Sequence, residues 1–408
     1  MKTLFILSLP LFLYASSLQF LLNEAREKNK LVVSRTLSQE AKQQEVESSQ
    51  SNYYPTIDVG ANYQSLNERS PFRPGDVYGG YVSIGLDIYD GGKKSSTLEQ
   101  KEHEYRASTF NTEAMKTSIS LQIVQDFFTI KSLESTLSSR MNAKDALGAQ
   151  LNRMKQFYTA KLATLDDVDR LQSAYDTNTY EIESIKFDIL STMHSLELKV
   201  GTRIDSLDDS KFKRFHQDDY ELVDSIKSLM AQEESIISSA EAINSVYYPQ
   251  LRVEDTYSIY GYDRTDSLHP EGAESQNKIL LTLNMRLFDM GTVQKQKQAV
   301  LLQSQALNQE IEYKKQEQTL QHALALSRIN TSKIKIKSAK SALVSSQSAF
   351  KTIEEKYNVG IVDNVVYLDA LSTQTQSDAL YQTSLNDLEI AYAIYYYYAG
   401  KNIGEYIK

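Results

Sequence analysis

Residues Tyr81–Ser95 read YVSIGLDIYDGGKKS, and residues Leu280–Gln294 read LLTLNMRLFDMGTVQ. In each, apolar and polar residues alternate, an aromatic, an Asp and a Gly end the alternation, and a long polar segment without proline follows. Two further stretches recur: NYYPTIDVGANY from Asn52 as VYYPQLRVEDTY from Val246, and FYTAKLATLDDV from Phe157 as KYNVGIVDNVVY from Lys356. Asn52 and Val246 are 194 positions apart, whereas the other two pairs are 199 apart. The chain is therefore a tandem repeat, and the second copy carries five extra residues in a loop between its Tyr-Pro and its Asp-x-Gly.

Proline positions define the architecture independently. Beyond the first 17 residues, prolines stand only at 55, 71, 74, 249 and 270, within or beside the alternating regions. An interior proline costs a helix about 3 kcal/mol, so the proline-free segments are free to form long helices. Their apolar residues step by three and four: Leu147, Leu151, Met154 and Tyr158 in the first copy, Phe350, Ile353 and Tyr357 in the second. The stripe is narrow and its flanks are rich in Ser, Gln, Lys and Glu, which suits side-by-side packing as in a coiled coil. A single helix over 93–158 would be about 100 Å long at 1.5 Å per residue.

The alternating regions have strand period. Ile57, Val59, Ala61 and Tyr63 share one face, as do Val82, Ile84, Leu86 and Ile88, then Leu251, Val253, Tyr257 and Ile259, then Ile279, Leu281, Leu283, Met285 and Leu287. Each run approaches the roughly 9–11 residues of a tilted transmembrane strand. Tyr53, Tyr54, Tyr89, Tyr247, Tyr248 and Phe288 gather at one end, as an aromatic girdle does. The polar loops 67–76 and 263–276 lie at the other. Asp255 interrupts the apolar face of its strand, which requires either a bulge there or a position near a membrane edge.

Residues 1–17, MKTLFILSLPLFLYASS, read as an export signal, with mature chain expected from Leu18. With no cysteine, the chain has neither disulfides nor a lipidation thiol. The net charge of −9 comes without a basic block, so nucleic acid is not an expected partner. The five histidines are scattered, and GGKKSS from Gly91 lacks the residues a phosphate loop needs, so neither a metal, a cofactor nor an enzymatic activity is expected. Four strands cannot close a membrane barrel, because the smallest use eight and an open edge cannot face lipid. The chain must oligomerise to enter a membrane.

The doubled YYP, the YDGG and FDMG strand ends, and above all YNVGIVDNVVYLDALS from Tyr357 resemble the TolC-like outer-membrane efflux proteins over essentially the whole chain beyond residue 17. The resemblance implies an α+β membrane protein. Its tandem repeat of strand pair plus long helix pair would form, in a homotrimer, one twelve-stranded β-barrel in outer-membrane lipid and an α-helical periplasmic tunnel. The expected function is an export channel working with a periplasmic adaptor protein and an inner-membrane transporter; the alternative is a structural periplasmic coiled-coil protein without transport activity.

Expected boundaries are a signal at 1–17 and a first repeat at 18–200, with strands about 53–66 and 77–90 and helices about 93–158 and 162–200. A linker follows at 201–225, packing with the C-terminal tyrosines Tyr395–Tyr398. The second repeat spans 226–399, with strands about 247–262 and 277–289 and helices about 292–357 and 361–399, before a tail at 400–408.

The resemblance makes Asp90 with Gly92, and Asp289 with Gly291, the strand-to-helix turns. It makes Lys161, Leu162 and Ala163, with Gly360, Ile361 and Val362, the adaptor docking turns. Gly360 suits a left-handed helix end, while its counterpart Lys161 is expected to turn differently. Of two acidic positions that the family carries six and nine residues after that glycine, this chain holds Val366 and Asp369. The resemblance thus implies one ring of Asp369 carboxylates attracting cations at the tunnel entrance. It also implies a hydrogen bond between Tyr357 and Asp167 holding the entrance, without the arginine that Val362 replaces.

Overall fold

The computed structural model describes residues 16–67, 75–214, 220–263 and 272–408. The export signal up to residue 15, most of the two polar loops with Pro71, Pro74 and Pro270, and His216 and His269 lie outside the described residues. The helices are α1 (Leu18–Lys28), α2 (Lys30–Ser51), α3 (Lys93–Thr159), α4 (Leu165–Val200), α5 (Asp224–Asn244), α6 (Thr292–Asn358) and α7 (Asn364–Tyr398). The strands are β1 (Thr56–Ser65), β2 (Asp76–Asp90), β3 (Gln250–Asp263) and β4 (Ser275–Asn284).

Helices α2 and α5 lie outside the strand-pair plus helix-pair scheme. Lys30 and Asp224, their first residues, are 194 positions apart, so each copy opens with a helix before its Tyr-Pro. Helix α2 carries little apolar surface. It is joined to α3 by charge instead: Lys42 and Lys101 both bridge Glu45 and Glu104, at 2.9–3.1 Å.

The chain divides into two compact units. One comprises Thr36–Asn111 and Ser225–Tyr313 and holds the sheet. Its strands form an antiparallel meander in the order β1-β2-β3-β4. The register brings the four apolar faces together: Ile57 opposes Ile84, Ile84 opposes Asp255, and Asp255 opposes Ile279, with Val59, Val82 and Tyr257 aligned alongside. Among the described residues nothing covers this face. Val59 is 78% exposed and Leu283 66%.

The pairing of β3 passes Asp255 without a break, and the register shift falls between Asp87 and Tyr89 instead. Asp255 therefore stands in register on the apolar face, with Oδ1 buried and unbonded. Of the two readings offered for it, the local bulge is excluded.

The other unit comprises the described part of 1–35 with Thr112–Asp224 and Lys314–Lys408. Its larger core gathers Leu18, Leu21 and Leu22 of α1, Ile123 and Phe127 of α3, Leu196 of α4 and Tyr392 and Tyr396 of α7. The 201–225 connection packs here. Phe212 lies 6.1 Å from Tyr396, ring to ring, and Tyr396 Oη donates to the Lys213 carbonyl at 2.6 Å. A second, smaller core joins α3, α4, α6 and α7 near their turns. Serines and threonines along these helices donate to the carbonyl four residues back, as Ser132 does to Phe128 at 2.9 Å and Ser135 to Lys131 at 2.9 Å. Self-satisfied hydroxyls let a polar sequence pack closely without stranding donors. Among the described residues, no helix is long and apolar enough to cross a membrane.

Candidate functional site

In the sheet unit, both strand-to-helix turns are built alike. Asp90 accepts from the amides of Gly92 and Lys94 at 3.1 and 2.8 Å, and Asp289 accepts from those of Gly291 and Val293 at 2.9 and 3.0 Å. Each carboxylate thus satisfies orphan donors of a 67-residue helix from two positions upstream of its cap. Tyr247 Oη donates to Asp289 at 2.8 Å and so braces the turn. Tyr54, Tyr89, Tyr248 and Phe288 are exposed around this end.

A second pair of exposed tyrosines, Tyr63 and Tyr78, lies on the same face toward the other end, a girdle that the sequence reading did not separate from the apolar run. Nine residues separate Tyr54 from Tyr63. At ~3.4 Å per residue and a tilt near 40° they span about 23 Å along the membrane normal, close to the ~25 Å apolar band of an outer-membrane barrel.

At the far turns of the other unit, helix α4 starts from a capping box. Thr164 Oγ1 accepts from the Asp167 amide at 3.2 Å, and Asp167 Oδ2 accepts from the Thr164 amide at 3.2 Å and from its hydroxyl at 2.6 Å. The Thr164 side-chain hydrogen bond holds the Asp167 carboxyl below the usual carboxylate range. Helix α7 starts in the same way, Asp363 accepting from the Val366 amide at 3.0 Å.

The turns before these caps are also alike, contrary to expectation. Lys161 has φ 62° and Gly360 φ 78°. Leu162 N donates to Phe157 O at 2.8 Å and Ile361 N to Lys356 O at 2.9 Å, so the same hydrogen bonds impose the left-handed residue on both copies. The strain at Lys161 is about 1 kcal/mol. Lys161→Gly is expected to raise stability by up to that amount, read as an increase in the urea midpoint at unchanged slope.

Among the described residues the expected hydrogen bond does not join Tyr357 to Asp167, although the Tyr357 hydroxyl, its pKa raised chiefly by burial, also feels the Asp167 charge. Asp167 is committed to its cap, and the Tyr357 ring stacks on Tyr367 at 4.7 Å and 22°. Tyr367 is fully buried, and burial pushes its pKa up to about 12. Other residues link the two helix pairs. Arg153 donates to Asn358 Oδ1 and O at 2.6 and 2.9 Å, and Asn364 Nδ2 to the Asp167 carbonyl at 3.3 Å. The sequence reading missed these links, since nothing in the spacing of Arg153, Asn358 and Asn364 brings them together before the hairpins pack.

Leu162 and Ile361 are 75% and 70% exposed at the tips, and Lys161 and Gly360 are exposed beside them, whereas Ala163 and Val362 are half-buried. Val366 and Asp369 are exposed on α7.

The profile of the family described as "Outer membrane efflux protein" matches residues 21–201 and 224–395. The chain is 22% identical to outer membrane protein TolC of Vibrio cholerae serotype O1, over 93% of this chain and 91% of that one. It is 20% identical to outer membrane protein TolC of Escherichia coli strain K12, over 93% and 82%. Among solved structures it resembles the CmeC outer membrane channel of Campylobacter jejuni, with TM-score 0.83 and 12% identity over 94% and 85% of the chains. It also resembles the outer membrane protein VceC of Vibrio cholerae, with TM-score 0.81 and 13% identity over 95% and 96%.

Proposed function

The chain belongs to the outer membrane efflux protein family, and from that membership we propose that three copies close one twelve-stranded barrel and conduct cargo delivered by a periplasmic adaptor and an inner-membrane transporter. The protein is an outer-membrane efflux channel with a helical tunnel in the periplasm. The observation that carries the trimer is the sheet itself, which has an uncovered apolar face about as tall as a bilayer core and two unpaired edges, on β1 and β4. An open edge in lipid leaves backbone donors and acceptors unsatisfied at several kcal/mol each. Strand β4 is last paired at Asn284, opposite Gln250, while the exposed residues Met285–Phe288 continue the alternation. The β1 edge of a second copy supplies the missing partner, and three such joints give twelve strands.

In this reading the copies 18–200 and 226–399 alternate around one axis. The exposed tips at Lys161, Leu162 and Ala163 and at Gly360, Ile361 and Val362 meet the adaptor, with apolar Leu162 and Ile361 as the main contacts. The deciding experiment is planar-bilayer conductance of the purified protein, with its mass determined in the same detergent. Discrete conductance steps from a trimer are expected; a monomer that leaves the bilayer silent would overturn the proposal.

A further inference from the structure

We propose that Arg170 is the charge partner of Asp369, so that the entrance carries a ring of alternating charge rather than an acidic one; this rests on the trimeric entrance proposed above. Helices α4 and α7 start from equivalent caps, Thr164 and Asp363, whose side chains accept from Asp167 N and Val366 N. Six residues beyond each cap stand Arg170 and Asp369, which are 199 positions apart, the repeat offset.

The rotation of the two helices about their axes is the same. Val168 and Leu171 are buried on α4, Tyr367 and Ala370 are buried at the matching positions of α7, and Arg170 and Asp369 are both exposed between them. When α4 and α7 alternate around the tunnel, three guanidinium groups and three carboxylates occupy one level. Across an opening no wider than the screening length of about 8–10 Å, each sign cancels part of the other's field.

Arg170 has a partner in its own helix, Asp166, at 2.9 Å from Nε, and also feels the Asp363 and Asp167 carboxylates. The Asp166 pair is exposed on both sides and strongly screened by solvent. It does not sequester the guanidinium. Asp167, by contrast, is fixed in its capping box, and Val366 opposite it in the repeat carries no charge. Position 170 therefore sets how strongly the Asp369 carboxylates act as a cation site, beside the Asp166, Asp167 and Asp363 carboxylates that already surround Arg170.

The test is single-channel recording of the wild type, Arg170→Gln, Asp369→Asn and the double variant, with hexaamminecobalt(III) as blocker and a KCl gradient for the reversal potential. Arg170→Gln is expected to tighten cobalt block at least tenfold and move the reversal potential toward cation selectivity. Adding Asp369→Asn should abolish both effects, and Asp369→Asn alone should weaken block from the wild-type level. If Arg170→Gln changes neither readout while Asp369→Asn weakens block, Arg170 lies away from the ring; the proposal fails and the acidic ring stands. If none of the variants alters block in channels that conduct, neither residue lines the entrance, and the ring fails with it.

Discussion

Arginine at position 283 is expected to abolish assembly of the channel in the outer membrane while leaving the chain expressed and exported. Leu283 opposes Leu251 on the uncovered face and is 66% exposed. It stands five residues along its own run from Phe288 and level with Leu251 and Tyr89 across the sheet, on the lipid-facing side near the girdle. A charge on the lipid face costs up to roughly 2–4 kcal/mol per copy at the midplane and less toward the girdle, and a trimer meets that cost three times. The matched control is Ser258→Arg, on the other face of β3 opposite Tyr81 and Gln276, which should assemble. Membrane fractions resolved by unheated gel electrophoresis would show the trimer band absent in the first and present in the second. Equal assembly of both variants would mean that this face does not meet lipid.

The second large effect is predicted in the helical unit. Tyr396 is 2% exposed, its ring stacks on Tyr406 at 4.0 Å between centroids, and its hydroxyl holds the Lys213 carbonyl at 2.6 Å. Tyr396→Ala removes a large buried side chain at a cost of about 3–5 kcal/mol. It also strands the carbonyl, at about 1–3 kcal/mol if no water replaces the hydroxyl. Tyr396→Phe keeps the stack and should cost about 1 kcal/mol. Denaturant midpoints rank the two, and limited proteolysis near 201–214 reports whether the connection is released in the alanine variant alone. Equal effects of the two substitutions would mean that the ring contributes nothing beyond its hydroxyl.

Much of this architecture was legible because it is written in local patterns. The recurrence at 194 and 199 residues, the confinement of proline to the strand regions, and the switch from period two to a three-and-four step are properties of the chain that no packing can alter. Helix α2 was not legible, because beyond Val32 it is held by the Lys42, Glu45, Lys101 and Glu104 square rather than by an apolar stripe, and charged residues carry no periodic signal of burial. The Lys161 turn was misread for a different reason. Residue preference argues against a left-handed lysine by about 1 kcal/mol, and the hydrogen bond from Leu162 to Phe157, with the capping box after it, outweighs that preference.

The candidate entrance divides along the same line. By itself the sequence determined which residues occupy equivalent positions in the two copies, including Asp369, Val366 and the two tips, since equivalence depends only on register along the chain. Only the tertiary structure decided who touches whom. Asp167 was claimed by Thr164 three residues away, and Arg153 found Asn358 205 positions along. A side chain takes whichever partner packing brings within about 3 Å, and hydrogen-bond energies fall off too steeply for any partner beyond that distance to compete.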